Sequence, residues 1–355
     1  MKWDQSVLLP RACEVCQSKE KLKRCTGCQV VYYCSRAHQR SDRAKHRESC
    51  CSVESTRATA DLEEAALRIE IGDRLWEEWT GEFDRYEETF PYLISRHAFA
   101  QMLFMHFGGV GGHRESLSLA VSHMEDILRL GPGDYSGVRF DLSFLYLRLG
   151  RDQEAYDFVK WWITTGDIPG YNWEDPRSSM LEAKNAVVLE DPPRRTLCRA
   201  CGGPDLRFVL LLAIVKARLV VNLIALQNAT RVLRGRMPQE HIDMVRGHAL
   251  GSSYACRGVL LKCTPRQISA FIRKAKGHLQ DLCYALEERN TYYLEMIFQG
   301  GPLVLFEPLP PEKTRGSLEE AQIGLVGGYP AWAESPGTIR LIRSLMRPRE
   351  GRSSE

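Results

Sequence analysis

The sequence predicts a mainly α-helical protein with a small N-terminal unit held together by two metal ions. Three observations carry this. Cysteine and histidine crowd residues 13–50, where apolar residues are scarce. Apolar residues then recur at helical spacing from residue 61 to about 298. No run of strands alternates with those helices, which sets aside a doubly wound parallel sheet. A chain of 355 residues has length for two or three folding units and a full core.

Taken in order, residues 1–12 read as a tail, 13–50 as the metal-bearing unit and 51–60 (CSVESTRATA) as a polar hinge. The helical domain opens at Asp61–Trp79, with Leu62, Ala65, Ala66, Ile69, Leu75 and Trp76 on one stripe. Pro91–Phe107 follows and is ended by GGVGG at 108–112. Glu115–Leu130 stops at Gly131 and Pro132, Val138–Leu149 at Gly150, and Asp152–Thr165 at Gly166. Phe208–Leu233 is long and apolar. Pro238 opens a further helix as its first residue, and Thr264-Pro265 caps and opens another that runs to about Arg289. ILRLG at 127–131 recurs as YLRLG at 146–150, so helix pairs of the tetratricopeptide-like kind are expected somewhere in 61–298. Residues 299–345 read as an extended, proline-containing segment and a C-terminal helix, and 346–355 as a disordered tail.

Composition narrows the class. The net charge of +3 is not that of a polycation made to coat nucleic acid. MKWDQSVLLPRAC has no apolar stretch long enough for a secretory signal, so an intracellular protein with reduced thiols is expected, in cytoplasm or nucleus. FVLLLAIVKARLVVNLIALQ, residues 208–227, approaches the length of a membrane span, but Lys216, Arg218 and Asn222 lie near its middle. A core helix with its two charges along an exposed edge is the expectation, and no membrane partner.

The metal reading rests on spacing. Seven of the twelve cysteines fall within residues 13–51. Cys13-x2-Cys16 and Cys25-x2-Cys28 are pairs whose sulfurs converge on one ion. Cys34 with His38, and His46 with Cys50, are four apart and share one face of a helix. Eight ligands suit two four-coordinate ions, and thiolate with imidazole suits Zn²⁺ rather than Mg²⁺ or Ca²⁺. Spacing leaves open whether the pairs combine sequentially or in alternation. Forty residues with little more than Val30, Val31, Tyr32 and Tyr33 to bury would draw much of their folding energy from metal. Cys51 reads as a spare thiol.

The order and spacing of these ligands, YCS around Cys34, and Gln39 after the sixth ligand resemble the MYND-type zinc finger over residues 13–50. The resemblance implies an interleaved pair of sites: Cys13, Cys16, Cys34 and His38 on one zinc, Cys25, Cys28, His46 and Cys50 on the second. It also implies a finger that binds proteins, with a docking site for proline-containing peptides. Two departures are visible. His38 stands where most members have cysteine. Arg43 stands where they have tryptophan, so the peptide site implied at Gln39 and Arg43 keeps its amide and lacks the aromatic platform.

Four ligands per ion leave no position for a reactive water, so catalysis at zinc is not expected. Ten Lys/Arg against four Asp/Glu in residues 11–50 read as a solvated surface or a face for an acidic protein partner, and nothing resembles a base-reading helix. The reading is a non-enzymatic adaptor in transcriptional or other regulation. The enzymatic alternative is a SET-type protein-lysine methyltransferase, since some of those carry a MYND finger; no SET motif is seen. Cys198-x2-Cys201 resembles half a zinc ribbon, and Cys256 and Cys263 read as packed thiols. GGVGGH at 108–113 reads as an interhelical loop, and Trp161 and Trp162 as packing residues. The histidines at 97, 106, 113, 123, 241, 248 and 278 form no nucleophile–base set. EPLPP at 307–311 reads as a peptide of the kind such fingers bind.

Overall fold

A computed structural model describes residues 8–72, 74–173, 184–197, 203–233, 236–250, 254–299 and 314–346. Cys198-x2-Cys201, EPLPP at 307–311 and all but the first residue of the 346–355 tail lie outside the described residues. The fold is mainly α, with fourteen α-helices and one two-stranded sheet among the described residues. The chain divides into two compact units: Met1–Leu145 with Asn172–Ser179, and Tyr146–Tyr171 with Met180–Glu355.

Unit 1 begins with β1 (Lys23–Arg24) and β2 (Tyr32–Tyr33), paired antiparallel with Lys23 opposite Tyr33. The helix that follows, α1 (Arg36–Ile71), runs straight through the expected hinge at 51–60. The correction has a local reason. No proline or glycine interrupts 36–71, and Ser52, Thr56 and Thr59 return their hydroxyls to carbonyls one turn back, so these polar residues are satisfied inside a helix. Val53, Ala60 and Leu67, seven apart, lie on its buried face. The helix stops at Gly72, whose φ of +103° suits glycine, and Trp76 falls in the separate turn α2 (Leu75–Glu78).

In α3 (Phe90–Phe107), Leu93, Phe99, Leu103 and Phe107 are buried as the helix packs between α1 and α4 (Arg114–Leu130). Leu117, Val121 and Met124 complete that layer. GGVGG is the loop between α3 and α4, as expected. His97 is a satisfied core histidine, 3.0 Å from the Ser136 carbonyl and 3.2 Å from Asp141. The division between units falls within α5 (Val138–Arg148).

Unit 2 is built around α8 (Leu206–Leu233), against which α6 (Asp152–Trp161), α9 (Gln239–Ala249), α11 (Pro265–Arg289), α13 (Leu318–Ala333) and α14 (Thr338–Met346) pack. Its most apolar window is 72% buried, as a core helix requires. The expected exposed edge is wrong. Lys216 is only 1% exposed, and the half-buried Arg218 guanidinium meets Asp152 at 2.6 Å, the Leu147 carbonyl at 2.6 Å and the Ser335 hydroxyl at 2.6 Å. Both charges have partners distant in sequence, so helical periodicity could not place them. Arg148 and Glu334 form a buried pair, bidentate at 2.9 and 2.7 Å.

Other boundaries shift modestly. After α6 the chain widens into a π turn at Trp162–Gly166, with Trp162 fully buried. Among the described residues between that turn and α8 is one short helix, α7 (Arg194–Leu197). Pro238 caps α9 rather than opening it, and α10 (Arg257–Lys262) follows. Thr264 caps α11 with a full capping box to Gln267. Then α12 (Thr291–Phe298) forms, capped by Asn290. Where the reading of 299–345 expected one C-terminal helix after the extended segment, two stand among the described residues, α13, which tolerates Pro330 near its end, and α14; the proline-rich stretch at 300–312 lies outside the described residues.

Candidate metal centre

Two knuckles of the same design start the site. In CEVCQ the Gln17 N–H bonds the Cys13 carbonyl at 2.8 Å, and in CTGCQ the Gln29 N–H bonds the Cys25 carbonyl at 3.1 Å. Each glutamine sits in the left-handed region, at φ +59° and +60°, which curls the chain so that its two cysteine side chains face the same point. The first knuckle is fixed to β2 by the Glu14 N–H to Tyr32 carbonyl bond at 2.9 Å, and the second by Cys25 N–H to Val31 carbonyl at 2.8 Å. A Cβ on Gly27 would lie 2.6 Å from the Cys50 sulfur, so the second knuckle has room for glycine only.

The remaining ligands come from the start of α1. Ser35 is its N-cap and accepts from the His38 N–H at 3.2 Å, setting Cys34 just outside the helix and His38 in its first turn. His46 and Cys50 follow two turns later. These two pairs are eight residues apart from His38 to His46, about 12 Å along the axis, and so cannot share an ion. Of the two pairings this leaves, the structure takes the alternating one: the first knuckle meets Cys34 and His38, the second meets His46 and Cys50. In each set all four donor atoms lie within 4.8 Å of one another.

The donor spacing tests the fit to zinc. Cys13 Sγ and Cys34 Sγ lie 3.5 and 3.2 Å from His38 Nδ1, and Cys16 and Cys34 sulfurs are 3.5 Å apart. In the second set Cys25–Cys50 and Cys28–His46 Nε2 are 3.6 Å apart and His46–Cys25 is 3.4 Å. Zn–S and Zn–N bonds of about 2.3 and 2.0 Å at tetrahedral angles separate donors by roughly 3.5–3.8 Å. Both Cys3His sets therefore fit Zn²⁺, which would be bound by Cys13, Cys16, Cys34 and His38, and by Cys25, Cys28, His46 and Cys50. Zinc would supply folding energy there, with all four positions of each ion filled by protein.

The surroundings favour thiolate at Cys13 and Cys25 and oppose it at Cys28, Cys34 and Cys50. Burial alone would raise the Cys13 thiol, but the backbone N–H groups of Cys16, Cys34 and Val15 draw it down to about 6. Hydrogen bonds from Cys28 and His46 draw Cys25 down to about 3, while the same pairing pushes Cys28 up. The second set is the more enclosed: Cys25, Cys28 and Cys50 are buried, whereas Cys16 is exposed. The His46 ring packs on Phe107 at 5.6 Å and edge-on to Tyr33 at 6.0 Å, whose hydroxyl donates to Asp42 at 2.7 Å.

The family described as MYND finger matches residues 13–50. Residues 13–50 are a MYND finger. No curated protein and no solved structure matches the chain. A MYND finger is a zinc-binding module of protein–protein interaction. In this one, Gln39 and Arg43 are exposed on α1, on the turns between the two ligand pairs. Arg43 is not isolated. Arg36, Arg40, Arg43 and Arg47 follow one another at spacings of four, three and four, and all are exposed, which makes a basic stripe down one face of the helix.

The finger is also fastened to the helices behind it, which ligand spacing could not reveal. Tyr32 donates its hydroxyl to Glu115, Arg11 stacks over the Tyr32 ring at 4.2 Å, and Leu9 bridges His113 with its N–H on the Gly112 carbonyl at 2.9 Å. Glu14 and His113 are 3.3 Å apart. The signal in the sequence was slight: a loop of four glycines that lets a strand lie against it.

Proposed function

We propose that this protein is a non-enzymatic, intracellular adaptor whose finger and helical domain both present partner-binding surfaces. The observation that carries the reading is the exposed face of α1, set between two complete ligand sets and bearing Gln39 with Arg36, Arg40, Arg43 and Arg47. Four protein ligands per zinc support a structural role for the ions. The arginine row, where the family's aromatic platform would stand, supports an acidic protein segment as partner, with proline-containing peptides tolerated beside Gln39. None of the ten described cysteines is in a disulfide, which suits a reducing compartment. Helix pairs such as α3 with α4 suit an adaptor scaffold, tetratricopeptide-like or not.

The test is affinity purification of the full chain beside a Gln39→Ala/Arg43→Glu variant, which keeps every zinc ligand. Loss of the partner set with two zinc ions retained is the expected result. Partners unchanged in that variant but lost in Cys25→Ala/Cys28→Ala would make the finger a structural cap. Turnover of S-adenosylmethionine by the purified protein would instead favour the methyltransferase reading.

A further inference from the structure

Lys216 occupies the middle of the long apolar helix α8, yet among the described residues its ammonium forms no ion pair with a carboxylate. It donates to two backbone carbonyls, Val188 at 2.6 Å and Glu190 at 2.7 Å, and its remaining face lies over the Tyr156 ring at 5.5 Å. The segment it holds crosses α6 and α8 on the surface of unit 2. Asp157 accepts from the Asn185 and Ala186 N–H groups at 2.8 and 2.9 Å, and Gln153 donates to the Ala186 carbonyl at 3.0 Å. Five hydrogen bonds thus run from side chains of α6 and α8 to the backbone of residues 185–190, independent of what side chains that segment carries.

Specificity comes from three points. Val188 is fully buried, whereas Lys184, Asn185 and Val187 are exposed. The Glu190 carboxylate takes the Tyr156 hydroxyl at 2.7 Å and the Lys160 ammonium at 2.6 Å. Asp191 takes Lys274 and His278 of α11, both at 3.0 Å. One buried apolar anchor, a clamped backbone and a pair of carboxylates on cations are how a protein holds a linear peptide, not how a loop is packed by its own apolar side chains. Without the segment, the groove would present the ammonium groups of Lys160, Lys216 and Lys274 against the one carboxylate of Asp157 around the buried position of Val188, and that excess of positive charge is complementary to an acidic chain.

The geometry points to a peptide-binding groove on α6, α8 and α11 that residues 185–191 occupy in cis. Its partner is a linear segment with a branched apolar residue two and three positions ahead of two carboxylates. The groove is separate from the finger and does not depend on how the finger is used.

The test uses the full chain and a fluorescein-labelled peptide KNAVVLED, the sequence of residues 184–191. Val188→Ala loosens the resident segment and leaves the groove intact. By fluorescence anisotropy, that variant is expected to bind the peptide at least tenfold more tightly than the unmodified protein does. KNAVVLQN, which lacks both carboxylates, is expected to lose that binding. Equal binding by variant and unmodified protein, or equal binding of the two peptides, would overturn the proposal. Should Val188→Ala not fold, hydrogen exchange on the unmodified protein replaces it. Millimolar KNAVVLED is then expected to speed exchange at the Asn185 and Ala186 amides while α8 stays protected. Unchanged exchange at those amides also overturns it.

Discussion

His123, on α4, sits with its ring edge-on to Phe99 at 4.9 Å and accepts from Arg96 at 3.3 Å on Nδ1. Burial first, then the Arg96 charge, push its pKa down to about 4, against a weaker pull from Asp126. Below an unfolded value near 6.5 the unfolded chain takes up a proton that the folded chain refuses. Stability is therefore lost as pH falls from about 6.5 to about 4, by up to about 3 kcal/mol from this residue. Urea unfolding at pH 7 and pH 4.5 should show that loss, and His123→Gln should make the slope shallower across the same window. A variant with an unchanged slope would remove His123 as its source. Gly27 supports a second prediction of this scale. Its alanine variant drives a methyl onto the Cys50 sulfur, so native mass spectrometry should find one zinc where the unmodified protein carries two. Two ions retained in Gly27→Ala would mean that the knuckle can shift aside.

At the scale of elements, the instructive case is α1. CSVESTRATA reads as a hinge because serine and threonine compete for backbone bonds outside helices. Inside this helix their hydroxyls bond back by one turn, and what decides the matter is Val53, Ala60 and Leu67 lying buried along the face that packs on α3. Ser55 is exposed, so Ser55→Ala should change stability little, while Ser55→Pro removes a helical N–H and clashes with the turn before it. The proline variant is expected to lose about 3 kcal/mol or more in thermal or urea unfolding. A flexible linker would accept proline without cost, so equal stability of the two variants would restore the hinge. Helix α8 carries the complementary lesson. Its existence and burial are legible from residues 208–233 alone. The setting of Lys216 and Arg218 is not, because their partners come from Leu147, Asp152, Val188, Glu190 and Ser335.

At the scale of the whole molecule, the metal sets were the most legible feature, because a ligand pair is a local pattern: three residues apart in a knuckle, four apart on a helix. Their alternation was legible only through family resemblance, and the distance between His38 and His46 along α1 keeps those two pairs on separate ions. What the sequence withheld is how the finger joins its neighbours. A finger stabilised by zinc alone would be a separate bead. Here α1 is shared, its ligand-bearing start and its apolar remainder being one continuous helix, and Tyr32, Leu9 and His46 touch Glu115, His113 and Phe107. Structural zinc contributes on the order of 10 kcal/mol to small fingers, more than those contacts can replace. Stripping zinc with a chelator should then abolish hydrogen-exchange protection in residues 13–50, and the loss should spread to the end of α3 around Leu103–Phe107 and the first turn of α4. Protection in α8, which packs on α6, α9, α11, α13 and α14 of unit 2, should persist. Loss confined to residues 13–50 would mean that the contacts with α3 and α4 form without coupling the finger to the helices it touches.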